Sequence, residues 1–386
     1  LKPKDRPVAP HGVERYARLL EDLEAKQARR ELLSNVGVDF TSNDYLGLAR
    51  SPRLAAAMMR ALEQGVACGS GGSRLLRGNH PEHQRLEHEA AQFFNAERVL
   101  LFGSGYAANL GILSTLPQRG DLVVHDEHIH ASAHDGIKLG RASAAAFAHN
   151  DAGAAEDAIK SWRASGGIGT AWIVVESLYS MDGDFAPLAD LRALALRQEA
   201  MLLIDEAHAT GVFGIDGRGL AAEYEGSPEI LVVHTGGKAL GSSGALVTGA
   251  ALLCDFLVNR ARPFIFATAP PPLIAAALSE SLRILKDEPE RRARLGKLSD
   301  YAASRLLAEL GRSSSGSQIF PFIVGESGPT LEIAAKLRAA GFDVRAIRPP
   351  TVPPGTARLR ISITLNVDEA AIDALLAALK QAMIRE

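Results

Sequence analysis

Several residue types that would announce a particular kind of protein are scarce in this chain. Two cysteines in 386 residues, Cys68 and Cys254, cannot form a disulfide framework for a protein of this size. Their scarcity fits a reducing compartment, and each reads as a buried small hydrophobe. Neither sign of charge dominates, with 42 Lys and Arg against 45 Asp and Glu and no long run of one sign, so neither a nucleic acid nor a lipid headgroup surface is an expected partner. No stretch reaches the ~18 consecutive apolar residues of a membrane span, and the opening LKPKDRPVAP lacks the apolar core of a signal peptide, so no membrane association and a cytoplasmic location are expected. Repeats and low-complexity tracts are also missing. With 47% hydrophobic and 23% charged residues, the composition excludes disorder, collagen and coiled coil and suits a globular chain long enough for two packed domains.

What is present is an alternation of short apolar runs with longer amphipathic ones, the pattern of parallel strands joined by crossover helices. It predicts strands at RVLLF ending at Phe102, DLVVH ending at His125, AWIVVES ending near Ser177, MLLID ending at Asp205, EILVVHT ending at Thr235 and GALVTG ending at Gly249. Between them PLADLRALALRQ places Leu188, Leu191, Leu194 and Ala195 on one helical face, with Pro187 suited to a first helical position. After PFIFATAPPP, residues 273 to about 310 read as one long helix or a pair. Strand IFPFIV, a helix near 330–340, strands DVRAI and ARLRISI and a helix from Asp368 follow, a smaller α+β pattern. The expected organisation is an N-terminal helical segment over 1–45 (helix at about 11–33), a large α/β domain with a mostly parallel sheet over 46–270, and a smaller α+β C-terminal domain over 271–386.

Taken singly, the motifs leave alternatives open. Gly103-Ser104-Gly105-Tyr106-Ala107-Ala108 follows a strand and opens a helix, which suits a phosphate cradle or a plain strand-to-helix turn. His125-Asp126-Glu127-His128-Ile129-His130, followed by His134, crowds imidazoles and carboxylates. Adjacent residues at a strand end diverge, however, and no second cluster completes a ligand set, so no metal is expected. His83 to His88 misses the HxxEH zinc spacing by one residue. Asp205 ends a very apolar strand, where a carboxylate needs a cation or hydrogen-bond donors. Lys238 follows the next strand among small residues that leave room for something bulky.

Their shared location narrows the choice. Ser104, His130, Ser180, His208 and Lys238 each lie just beyond the carboxyl end of an expected strand, with Asp205 at the end of its own, and open α/β sheets bind ligands along that rim. A nicotinamide dehydrogenase needs neither the lysine nor the buried acid. A pyridoxal phosphate enzyme needs a lysine for the Schiff base, an acid for the pyridine nitrogen, an imidazole and an anion cradle.

SNDYLGLA at 42–49, GSGGSRLLRG at 69–78, SGYAAN at 104–109, HAS at 130–132, SMDGD at 180–184, DEAHATGVFG at 205–214, TGGKALG at 235–241 and IRPPTVPPGTARLRIS at 347–362 occur in that order. Together they closely resemble the α-oxoamine synthases, pyridoxal phosphate enzymes of the aspartate aminotransferase fold (fold type I), over residues 40 to 365. The resemblance implies Lys238 as the Schiff-base lysine, Asp205 at the pyridinium nitrogen, His130 stacked on the ring, and His208 and Ser180 at the phenolic oxygen. Thr235, Ser104, Gly105 and Tyr106 match the phosphate and ring-edge positions, and Thr268 a threonine lent by a partner subunit, which implies a homodimer with shared sites. Asn43 and Arg360 would hold the amino-acid carboxylate. Thr351 with Arg348 would line the acyl path, and the N-terminal substrate arginine falls at Arg29 or Arg30. The run IRPPTVPPGTARLR points to the branch that condenses L-alanine with a pimeloyl thioester, pimeloyl-CoA or a pimeloyl carrier protein, rather than to siblings using glycine with an acetyl or succinyl thioester. The chain departs from the family in a shortened link before Ser42, in Leu365-Asn366 where an alanine-histidine pair is expected, and in His234 and an extra glycine near the lysine.

Overall fold

The computed structural model describes residues 11–384, and the opening LKPKDRPVAP lies outside the described residues. The described chain divides into two units by internal contacts, 42–320 with 362–369 and 11–41 with 321–361 and 370–384. The smaller unit opens with α1 (His11–Ala25) and β1 (Val38–Asp39). Helix α1 is shorter than the expected 11–33, since Gln27 adopts φ 52°, which an α-helix does not accommodate.

The larger unit follows with α2 (Pro52–Glu63), α3 (Pro81–Phe94), β2 (Arg98–Phe102), α4 (Gly105–Leu113), β3 (Leu122–Asp126), α5 (Ala131–Leu139), β4 (Ser143–Phe147), α6 (Ala152–Ala164), β5 (Ala171–Glu176), α7 (Leu188–Arg197), β6 (Met201–Asp205), β7 (Ile230–Thr235), β8 (Ala245–Gly249), α8 (Ala251–Arg260), α9 (Arg262–Ile265), α10 (Pro272–Asp287) and α11 (Glu290–Leu310). Its seven strands form one sheet in the order β2-β8-β7-β6-β5-β3-β4, parallel except for β8, which runs antiparallel to both neighbours. Both faces are covered, so β5 reads as a continuous apolar run. Trp172 and Val174 pack in one core with α4 and α8, and Ile173 and Val175 in another with α6 and α7. All six expected strands of this sheet are present. Strand β4 was not expected, because SAAAF sits at the sheet edge, mostly solvent-facing, without the β-branched residues that mark a strand.

The smaller unit resumes with β9 (Ile319–Gly325), which begins within the larger unit, then α12 (Ser327–Ala339), β10 (Phe342–Asp343), β11 (Ala346–Ile347), β12 (Ala357–Ser362) and α13 (Glu369–Met383). Strands β11, β12 and β9 form one sheet, and β10 pairs in parallel with β1. The expected single strand DVRAI is thus two short pieces in separate sheets. The long helical region, expected as one helix or a pair, is a pair parted at Glu288-Pro289. Both helices belong to the larger unit, which parts from the smaller at Phe320 and not near residue 270, because the apolar face of α10 packs against α2 and α3. Among the described residues no helix is long and apolar enough to cross a membrane.

Candidate active site

The carboxyl ends of β5, β6 and β7 and the amino ends of α4 and α5 surround a cavity of about 340 Å³ in the larger unit. Its lining includes Asn43, Ser104, Gly105, Tyr106, Asn109, His130, Glu176, Asp205, His208, Thr235 and Lys238, so most of the expected cofactor residues meet in one place. Parallel strands deliver their last residues to one rim, and the loops that follow turn back across it.

Two hydrogen-bond chains order the cavity. In the first, Asn109 Nδ2 donates to Asp205 Oδ2 at 2.7 Å and to Ser132 Oγ at 3.0 Å, and Ser132 Oγ donates to His130 Nδ1 at 2.8 Å. That arrangement puts the proton of a neutral His130 on Nε2. The same Nδ1 caps α5 by accepting from Ser132 N. Desolvation, then the charge of Lys238, lowers the His130 pKa against the pull of Asp205, so the imidazole is neutral at neutral pH. Asp205 also accepts from Ala207 N at 2.9 Å. In the second chain Lys238 Nζ donates to His208 Nε2 at 2.9 Å, His208 Nδ1 donates to Tyr45 Oη at 2.6 Å, and the Tyr45 hydroxyl donates to Asn43 Oδ1 at 3.0 Å.

The phosphate expectation meets a bare helix start. Ser104 caps α4, its Oγ accepting from Ala107 N, and at Gly105 a Cβ would come within 2.7 Å of Thr235 Cγ2. Only glycine lets Thr235 and the first turn of α4 approach so closely, leaving backbone N–H groups for an anion. Tyr106 is exposed, and its hydroxyl donates to Asp135, which holds the phenol pKa up.

Other expected residues lie elsewhere. Ser180 is buried, its N–H donating to Glu176 Oε2, and it does not line the cavity. Thr268 is exposed and away from the lining. Arg360 is buried on β12 of the smaller unit. That unit has its own cavity of about 610 Å³, lined by Arg29, Arg30 and Arg348 among others. Here the two candidate arginines separate: Arg30 Nη2 donates to Thr351 Oγ1 at 2.9 Å, whereas Arg29 pairs with Glu24 at 2.5 Å. Arg348 is tied to the backbone carbonyls of Gln27 and Arg29.

Three residues that order the cavity escaped the sequence reading: Asn109 and Glu176 line it, and buried Tyr45 stands behind His208. Tyr45 and Asn109 stand inside quoted motifs, SNDYLGLA and SGYAAN, but nothing in the pattern tells an orienting side chain from a packing one. Glu176 ends β5 in an expected strand, and only the fold shows that it faces Asp205. The departures near the site find partners. Asn366 Nδ2 donates to Asp44 Oδ2 at 3.0 Å, and buried His234 pairs with Glu225 at 2.5 Å under a stacked Phe94.

In the histidine-rich segment at 125–134, the His125 and His134 rings meet edge to face at 5.1 Å. His128 stacks on His149, and His149 bridges Asp126 (2.9 Å from Nδ1) and Asp184 (2.8 Å from Nε2).

The sequence profile of the aminotransferase class I and II family matches residues 35–379. Among curated relatives, the 8-amino-7-oxononanoate synthase of Chromobacterium violaceum is 46% identical, over 88% of this chain and 87% of that protein. The serine palmitoyltransferase of Sphingomonas wittichii superposes with a TM-score of 0.88 at 29% identity, covering 97% of this chain and 98% of that one. A serine palmitoyltransferase of S. paucimobilis, solved with pyridoxal phosphate joined to myriocin, superposes with a TM-score of 0.85 at 28% identity, covering 96% of this chain and 97% of that one. Motif order, strand topology and whole-length similarity agree, and the chain belongs to the class I and II aminotransferase family, in its 8-amino-7-oxononanoate synthase branch.

Proposed function

We propose that this chain condenses L-alanine with a pimeloyl thioester, giving 8-amino-7-oxononanoate, carbon dioxide and the free thiol of the carrier. The observation that carries this reading is the lysine at the rim, Lys238, 2.9 Å from His208 in a cavity whose acid, Asp205, is already held by two donors. The enzyme is pyridoxal phosphate-dependent, and the cavity fits that group: a lysine to anchor it, a fixed carboxylate for its ring nitrogen, a neutral imidazole for its ring face and a bare helix start for its phosphate. When bound, pyridoxal phosphate supplies a ring that withdraws electrons from the alanine Cα.

The protein's own groups account for the rest. Asp205, held by Asn109 and Ala207 N, keeps one negative charge at a fixed point. His208 Nε2 accepts a hydrogen bond from Lys238 Nζ, which holds the amine in line to take and return a proton at the alanine Cα. Neutral His130 offers an uncharged ring face. His208 and Ser180 are assigned the phenolic oxygen, Ser104, Gly105, Tyr106 and Thr235 the phosphate and ring edge, and Thr268 the phosphate of a second copy in a homodimer. Asn43, in the cavity lining, is assigned the alanine carboxylate, because bond breaking at Cα needs one fixed orientation. Thr351 and Arg348 are assigned the acyl chain. Of the two arginines, Arg30 is better placed than Arg29 for its far carboxylate, since it already meets Thr351.

The test is thiol release by the purified protein with pyridoxal phosphate. L-Alanine with pimeloyl-CoA or pimeloyl carrier protein should outpace glycine with acetyl-CoA or succinyl-CoA. Selectivity against glycine alone should be moderate, because one methyl group is worth only ~1–3 kcal/mol. Faster release with either glycine pair would overturn the substrate assignment. Sedimentation should show a dimer at assay concentration.

A further inference from the structure

Glu176 ends β5 directly beside Asp205 at the end of β6. The two are register partners on adjacent parallel strands, so both carboxyl groups leave the sheet on the same face, and both line the cavity with Lys238. They are provided for unequally. Asp205 accepts from Asn109 Nδ2 and Ala207 N. Glu176 is 3% exposed; its Oε2 accepts from Ser180 N at 3.1 Å, and its Oε1 is buried with no hydrogen-bond partner.

Two neighbouring carboxylates cannot both be ionised cheaply, and an ionised oxygen buried without a donor is costlier still. The ionisable groups around Glu176 are Asp205 on β6, Lys238 after β7, Asp126 on β3 and Tyr179 in the loop after β5. Burial, then the charge of Asp205, pushes the Glu176 pKa up to about 8; Lys238 and the Ser180 N–H oppose this, and Asp126 adds to it.

We propose that Glu176 and Asp205 form an unequal pair holding one proton, with Glu176 the carboxylic acid and Asp205 the carboxylate. Glu176 is then a positioning residue: Oε2 fixes the backbone of Ser180, Oε1 carries the proton, and its neutrality leaves Asp205 as the pair's single negative charge. Its service to the cofactor rests on the reading above; its protonation does not.

The experiment compares the full chain with Glu176→Gln, each with and without pyridoxal phosphate, in denaturant melts from pH 5 to pH 9. Glutamine keeps the shape, the acceptor for Ser180 N and a donor, and never ionises. The unfolded wild type loses this proton at the ordinary glutamate pKa while the folded protein keeps it. Wild-type folding should therefore weaken relative to the variant by up to tenfold in equilibrium constant per pH unit, from about pH 5 to pH 8, and level off above. Glu206, whose pKa burial also pushes up to about 8, and His149 contribute equally to both proteins and cancel in the difference. A flat difference, or wild type gaining on the variant as pH rises, overturns the protonation. A protonated-carboxyl infrared band at neutral pH that is stronger in wild type than in the variant, where Glu206 still contributes, supports it, and a band of equal strength in both overturns it. For the positioning role, Glu176→Gln should hold pyridoxal phosphate within about threefold of wild type, while Glu176→Leu, with no acceptor for Ser180 N, should bind it at least about tenfold more weakly. Equal binding by the leucine variant overturns that role. A wild type that binds no pyridoxal phosphate overturns the cofactor reading and the positioning role together, with the pH-dependent melts still deciding the protonation.

Discussion

Two clusters of acids at neighbouring strand ends solve one electrostatic problem in opposite ways. At β3, Asp126 and Asp184 lie on either side of His149, whose pKa is pushed up to about 10 by hydrogen bonds to both carboxylates against the cost of burial. Asp126, fully buried, is held below the usual carboxylate range despite desolvation, by His149 and the backbone N–H groups of Asn150 and His128. At β5 and β6, Glu176 and Asp205 share one proton instead. A resident imidazolium makes the first cluster a permanent clamp on the SMDGD loop. In the second cluster the nearby cation is Lys238, which the proposed reaction uses, so in that reading neutrality comes from within the acid pair.

Removing the charged member of the reactive pair should have the largest effect. Asp205→Asn is expected to lower turnover by roughly 10²–10⁴-fold with secondary structure retained, measured by thiol release and circular dichroism. Lys238→Ala should lose both turnover and the visible absorption of bound cofactor, while His149 variants keep that absorption.

Removing the resident cation should be felt in stability instead. His149→Gln leaves Asp126 and Asp184 facing a neutral amide and should cost about 3 kcal/mol in urea unfolding at pH 7. Its pH signature has a definite sign. The folded pKa of His149 is raised, so its contribution is complete below the ordinary histidine value of 6.5 and is lost as pH rises through about 10. Asp126 is shifted down, so its contribution is present above its ordinary value and lost as pH falls. His149→Gln should therefore flatten the alkaline decline, whereas Glu176→Gln should flatten the decline between about pH 5 and pH 8.

Smaller effects should come from the neutral donors that distinguish the members of each cluster. Asn109→Ala strips one donor from Asp205 and should bring a roughly tenfold loss of turnover, measured by thiol release. Asn150→Ala removes the 2.9 Å bond to Asp184 and should cost about 1 kcal/mol, measured by urea melts, with turnover close to wild type.

Much of this was legible in the order of residues. Apolar runs long enough to cross a covered sheet, each ending in a polar residue, located the strands that deliver Asp205, Thr235 and the loops carrying His130 and Lys238. The regularity of the βα pattern put those residues on one rim. Strand β4 escaped because SAAAF carries no β-branched signal. Helix α10 was assigned to the wrong side of the boundary near residue 270, because an apolar helix face does not name the partner it packs on.

By itself, then, the sequence determined the α/β class, the rim and the chemical identity of its lysine, acid, imidazole and glycine-opened helix start, because each depends on local periodicity or on residue type at a strand end. Only the tertiary structure decided which acid keeps a proton, which arginine meets Thr351 and that His149 joins Asp126 to Asp184. Those outcomes depend on distance and burial between segments far apart in the chain, where an Asp205 with two donors and a Glu176 with one look alike until the strands stand side by side.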